Sequence, residues 1–456
     1  MMAGPNFRNL FNRFGGAGFE KWRGRMAVSP EQPAIDLCHR LLRLRGEASA
    51  IVIADEIISR FTALDAAGQL EFFNQLLEQF QPEAEALKIA AEHYLAEPGA
   101  ESAAAIAVAS EAPWKALFRL LSTSPAGVPA LIEMREQLLP LLREYPELTT
   151  LDSDLVNVFR SWFNRGFLEL REIDWHTPAH ILEKLIAYEA VHEIRGWDDL
   201  RRRLADDRRC FAFFHPALVD EPLVFVQVAL TATMPAQIGN ILDEEVSTGF
   251  VPPKTAVFYS ISNCQEGLRG VSFGNFLIKQ VLLELKREFP SIDLSVTLSP
   301  VPNFRRWVQS VLADEERQAE LGIADSELEE LLALDELIQT DKDKQHREQI
   351  TENLNQLEST LMRLCGFFLA REKRMGLPHD AVARFHLSNG ARLEQINWAG
   401  DLSYRRLRQS FGILVNYAYN ADKLEENHEA LVNDGTIAIS PAVKKLANAK
   451  PTKRAA

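Results

Sequence analysis

The stretch Gln265-Glu-Gly-Leu-Arg-Gly-Val-Ser-Phe-Gly-Asn-Phe-Leu-Ile-Lys279 decides how this chain is read. It lies between an apolar run expected to be a strand, 256–261, and a helix expected over 274–288, in which Leu277, Ile278, Val281, Leu282 and Leu285 share one face. A polar, glycine-containing turn entering an amphipathic helix leaves several backbone N–H groups without helical partners. Those donors and the positive end of the helix dipole suit a phosphate. Gly267, Gly270 and Gly274 also fit tight turns, so the neighbouring elements have to carry the assignment.

Upstream, Cys210-Phe-Ala-Phe-Phe214 and Leu223-Val-Phe-Val-Gln-Val-Ala-Leu230 read as an antiparallel hairpin. Downstream of the helix comes a strand in which Leu294, Val296 and Leu298 alternate with Ser295, Thr297 and Ser299. Pro300 and Pro302 stop it. Residues 308–375 read as an acidic, then mixed-charge helical insertion folded as a hairpin. Asp380 is placed to cap a helix over 381–388 that Asn389-Gly390 ends, and strands are expected over 391–398 and 412–419. From 33 to 204 the apolar spacing is three to four residues almost throughout, so the chain begins with an all-helical domain. The expected boundaries are a basic arm over 1–30, helices over 31–195, a mixed-sheet domain over 196–425 and a tail over 426–456.

With 456 residues, 46% of them hydrophobic and 25% charged, the composition is that of a globular chain of two or three domains. A net charge of −14 argues against a nucleic-acid binder, and the longest charge-free stretch, 222–242, is too polar to cross a membrane. Four widely spaced cysteines without a CxxC pair imply a reducing compartment, read as cytoplasmic. The basic arm, with Arg8, Arg13, Lys21, Arg23 and Arg25, shares some composition with an organellar targeting segment, but is poor in serine and broken by glycines. His176, His180 and His192 lack the H-E-x-x-H spacing of a metal site.

The segment Arg269-Gly-Val-Ser-Phe-Gly274 resembles the Arg/Gln-x-x-Gly-x-Gly loop of the GNAT acyl-CoA fold, with Ser272 where that pattern has glycine. The order strand, strand, strand, loop, helix, strand is also similar to that fold. A closer resemblance comes from Ser260-Ile-Ser-Asn-Cys264, the loop itself, Leu298-Ser-Pro-Val-Pro-Asn-Phe304, Arg384-Phe-His-Leu-Ser-Asn-Gly-Ala391, Ile396-Asn-Trp398 and Val415-Asn-Tyr417. With Tyr188-Glu-Ala-Val-His-Glu-Ile194 before them, these motifs resemble the malonyl-CoA decarboxylase family over about residues 30–425.

The resemblance implies a lyase that makes acetyl-CoA and CO2 from malonyl-CoA without a metal or organic cofactor, on a GNAT-like mixed-sheet domain behind the helical one. It implies Ser299 and His386 as the catalytic pair, a CoA loop of Arg269, Gly270, Val271, Ser272, Phe273, Gly274 and Asn275, and Ser260 and Tyr419 in support. Ser272 replaces an acidic residue of some relatives. It further implies a homo-oligomer assembled through the helical domain. Loss of CO2 leaves charge on a thioester enolate, so positioned donors and a proton donor are the chemistry required, and histidine suits the second role. A GNAT-type N-acyltransferase would use the same loop but would need an amine substrate and a base.

Overall fold

The computed structural model describes residues 32–242, 252–271, 276–341 and 346–449. These form two compact units. The first contains the helices up to residue 167, together with residues 215–219 and the described residues of the loop, 265–271. Its core is built from apolar stripes such as Trp114, Leu117, Phe118 and Leu121 on helix Pro113–Leu121 and Leu131, Ile132, Met134 and Leu138 on helix Gly127–Leu138.

The second unit is organised around a mixed sheet. Its strands are β1 (Glu169–Ile173), β2 (Arg208–Phe214), β3 (Val224–Thr231), β4 (Thr255–Asn263), β5 (Leu294–Thr297), β6 (Ser299–Pro300), β9 (Arg392–Asn397) and β10 (Leu414–Ala418); β7 (Lys373–Arg374) and β8 (Leu377–Pro378) form a separate hairpin. β1 to β4 run antiparallel in order, β4 pairs β5 in parallel, and β10 pairs antiparallel with β5, β6 and β9. β2 and β3 are covered on both faces, which is why their sequences are continuous apolar runs.

Two irregularities in this sheet matter. The β4–β5 ladder ends at Phe258↔Thr297, closed by Leu298 N–H donating to the Phe258 carbonyl at 3.0 Å, after which β4 continues with β3 alone and β6 follows β10. The register of β4 against β3 also shifts between the pairs Val228↔Phe258 and Gln227↔Ser260, so Tyr259 is an extra residue on β4. Such a bulge re-aims the side chains that follow it.

The structure departs from the sequence expectation in three places. β1 lies within the stretch expected to be all helix and pairs β2, while Ile181, Leu182 and Leu185 of helix Ala179–Tyr188 pack on Cys210, Ala212 and Phe214 of the sheet. The insertion is no simple hairpin: helices Phe304–Leu312, Glu315–Leu321, Asp325–Thr340, Arg347–Gln356 and Glu358–Arg371 follow one another, with Arg305 bound to Asp335 at 2.7 Å. Residues 426–449 are no tail, because helices Leu424–Asp434 and Pro441–Ala447 bury Leu431 and Val443, and Ser440 Oγ donates to the Glu394 carbonyl at 2.6 Å. Val443 is fully buried, so Val443→Ala should cost about 2 kcal/mol in urea unfolding; an unchanged midpoint would mean that this helix is not part of the fold's core.

Candidate active site

Ser299 is the first residue of β6, at the place where β4 and β5 have just parted. Its backbone pairs with Val415 of β10, and it is 6% exposed. His386 comes from helix Ala381–Ser388, and Asp380 begins that helix, its Oδ1 accepting the N–H groups of Val382 at 2.9 Å and Ala383 at 3.0 Å. The other oxygen of Asp380 accepts the Asn303 N–H at 3.1 Å. One carboxylate therefore ties the loop after Ser299 to the helix that carries His386. Burial pushes its pKa above the ordinary range, against the pull of those N–H bonds. The helix ends at Gly390, φ +80°, where a Cβ would stand 2.0 Å from the Leu424 carbonyl oxygen.

These supports bring four side chains into line. His386 Nε2 is 3.1 Å from Ser299 Oγ, Ser299 Oγ is 2.8 Å from Thr297 Oγ1, and His386 Nδ1 is 2.7 Å from Tyr419 Oη. The Tyr417 ring stacks on the imidazole at 4.7 Å between centroids. Burial raises the Tyr419 pKa well above its usual value, so the phenol keeps its proton, and among the described residues its hydroxyl has His386 Nδ1 within hydrogen-bond distance. With the phenol as donor to Nδ1, the neutral imidazole carries its proton on Nε2, facing Ser299, whose hydroxyl donates to Thr297.

Not every expected residue joins this group. The hydroxyl of Ser260 lies 2.8 Å from both carboxylate oxygens of Glu189. The bulge at Tyr259 accounts for this, since it turns Ser260 to the side of Gln227, whose amide also donates to Glu189 at 2.9 Å. Ser260 therefore belongs to a polar network with Glu189, Gln227 and Ser262 and not to the Ser299–His386 pair. Of the expected CoA loop, Arg269, Gly270 and Val271 are described; Ser272, Phe273, Gly274 and Asn275 lie outside the described residues. Arg269 is exposed and paired with Glu266. Sequence reasoning assigned no role to Thr297, Tyr417 or Glu189. The alternation Ser295, Thr297, Ser299 was the one signal that pointed to Thr297.

A buried serine–histidine–tyrosine chain at the parting of two strands in a mixed sheet is an arrangement able to carry acid–base chemistry, the class of site an enzyme uses. Residues 166–456 match the model of the malonyl-CoA decarboxylase C-terminal domain, and residues 80–163 match that of its N-terminal domain. Mitochondrial malonyl-CoA decarboxylase of Anser anser anser is 36% identical over 346 residues, spanning 72% of this chain and 68% of that protein. The Mus musculus protein is 36% identical over 348 residues, 73% and 70% respectively. Among solved structures, malonyl-CoA decarboxylase from Rhodopseudomonas palustris is 45% identical with a TM-score of 0.83, covering 90% of this chain and 98% of its own. The chain belongs to the malonyl-CoA decarboxylase family, and it is a decarboxylase.

Burial lowers the His386 pKa from its ordinary value of 6.5 to about 3. Below pH 6.5 the unfolded chain protonates this histidine and the folded chain does not, so folding stability falls as the pH drops from 6.5 towards 3, by up to about 1.4 kcal/mol per pH unit. His386→Asn should flatten the stability profile over that window in urea titrations at pH 4–7. An equally steep profile in the variant would contradict a buried neutral imidazole.

Proposed function

We propose that this chain converts malonyl-CoA to acetyl-CoA and CO2 with the Ser299–His386–Tyr419 chain as its chemical centre. The observation that carries the reading is the run of hydrogen bonds from Tyr419 through His386 to Ser299 Oγ, which with Tyr419 as the donor leaves a proton on His386 Nε2. When the bond between the malonyl carboxylate and its α-carbon breaks, the electron pair moves into the thioester enolate and CO2 leaves. Ser299 orients the departing carboxylate, and His386 Nε2 delivers the proton that the α-carbon needs. Nδ1 takes the Tyr419 proton in turn. Tyr419 takes a replacement proton from solvent as it gives its own, so that no phenolate accumulates in the buried site, and this is the net proton the reaction consumes. Tyr419 also lines a cavity of about 620 Å³ with Lys286, Asp293, Asp422 and Glu426, which supports a route for that proton.

Neutral histidine fits this role. Burial disfavours the imidazolium, and the Nε2–H of a neutral imidazole, a weak acid, gives up its proton only to a base as strong as the enolate carbon. The step calls on no metal or organic cofactor. The exposed loop residues Arg269 and Gly270 and the buried Val271 are assigned to the CoA moiety by their resemblance to the family pattern, and the same assignment extends to Ser272, Phe273, Gly274 and Asn275. The enzyme is read as cytoplasmic, supported by four buried free thiols, and as a homo-oligomer built through the helical unit, supported by Ile89, Leu95 and Val108 exposed on helices Ala84–Ala96 and Ala100–Ala109. No helix among the described residues is long and apolar enough to cross a membrane.

The test is release of CO2 and formation of acetyl-CoA by wild type, His386→Asn, Ser299→Ala and Tyr419→Phe, each also assayed for CoA binding. His386→Asn should lower kcat by roughly 100-fold to 10,000-fold, Ser299→Ala by about 100-fold, and Tyr419→Phe by less, with CoA binding retained in all three. Normal turnover in both His386→Asn and Ser299→Ala would remove the chemistry from this pair.

A further inference from the structure

The loop of residues 265–271 clusters with the helical unit, and one buried arginine of that unit holds it. Arg135 sits on helix Gly127–Leu138 and is 3% exposed. Its Nε donates to Asp152 Oδ1 at 2.7 Å, which fixes the guanidinium. Its Nη1 donates at 2.7 Å to the carbonyl of Gly267 and at 2.7 Å to that of Arg269. The approach is close: a Cβ on Gly267 would stand 2.0 Å from the Ile132 carbonyl oxygen, so the loop backbone lies directly on the helix.

This contact has a geometric consequence. In a trans peptide the N–H points opposite the C=O, and the structure has no cis bonds among the described residues. With the Arg269 carbonyl drawn to Arg135, the N–H of Gly270 points away from the helix. The neighbouring N–H groups are turned inward: Leu268 donates to Gln265, Arg269 to Glu266 and Val271 to Leu268. The Gly270 N–H has no acceptor among the described residues, and Gly270 is exposed. A guanidinium behind the carbonyl also polarises the peptide, strengthening its outward-facing donor.

We infer that Arg135 is a positioning residue for the substrate, aiming the Gly270 N–H at an anionic group of CoA. The inference rests on the reading that this loop binds CoA. The helical unit then contributes to substrate affinity by shaping the loop from behind, and Arg135 itself never touches the ligand. Losing one of the two charge-assisted bonds that aim the loop is expected to cost about 10-fold in affinity.

Two measurements on the full chain separate the inference from the reading beneath it. Hydrogen exchange of the wild type with and without free CoA should show protection of the peptide spanning 265–271; absence of protection would defeat the loop reading and the inference with it. Given protection, Arg135→Lys, which keeps the charge but not the two-carbonyl reach, should raise the Kd for CoA and the KM for malonyl-CoA about 10-fold while leaving kcat within about 3-fold. An unchanged Kd in Arg135→Lys, with the loop still protected, would overturn the role of Arg135 and leave the loop reading standing. Should Arg135→Lys fail to fold, Gly267→Ala, which forces the same contact apart from the loop side, carries the test: a raised Kd supports the role, and an unchanged Kd overturns it.

Discussion

The chemistry of this protein depends on where one carboxylate puts its two oxygens. Asp380 caps the helix that carries His386 and holds the Asn303 N–H of the loop leaving Ser299. Strand β6 ends at Pro300, before Val301, Pro302 and the loop residue Asn303, so without Asp380 the serine and the histidine would be fixed by separate elements. With it, a distance of 3.1 Å between Oγ and Nε2 becomes a property of the backbone. The pKa of Asp380, raised by burial, marks what desolvation costs the carboxylate there, and three backbone N–H bonds offset it.

The sheet supplies the second constraint. β4 and β5 separate after Phe258↔Thr297, and the first residue beyond that break on the β10 side is Ser299. Thr297 is still in the ladder, so its hydroxyl is rigidly placed; it accepts from the Tyr417 N–H at 3.2 Å as well as from Ser299. Tyr417 and Tyr419 alternate along one face of the chain, one stacking on the imidazole and the other bonding it. A histidine enclosed in this way has little freedom to rotate, and a fixed Nε2 favours proton delivery to a single carbon.

Much of this was legible in the sequence because it follows from short-range rules. Asp380, a short helix and Asn389-Gly390 are a local start-and-stop pattern, and the alternation that ends at Ser299 defines a strand face. What was not legible depends on partners far along the chain. The bulge at Tyr259 has no marker such as glycine, yet it decides that Ser260 meets Glu189, 71 residues earlier. β1 was missed because Glu169-Leu-Arg-Glu-Ile173 is an edge strand with four of its five residues not buried, so it lacks the apolar run that betrays β2. The C-terminal helices were missed because they are short and only a few positions, such as Leu431 and Val443, are buried. Arg135 reads as an ordinary helix arginine until its two carbonyl acceptors, more than 130 residues away, are seen.

The account turns on the direction of the hydrogen-bond chain, and that direction is measurable. Nitrogen-15 NMR of imidazole-labelled protein at neutral pH distinguishes the two neutral tautomers of His386. A resonance of Nε2–H type, with Nδ1 as an acceptor that becomes unbonded in Tyr419→Phe, is the expected result. A proton on Nδ1, directed at Tyr419, would leave Nε2 without a proton to give and would contradict His386 as the acid.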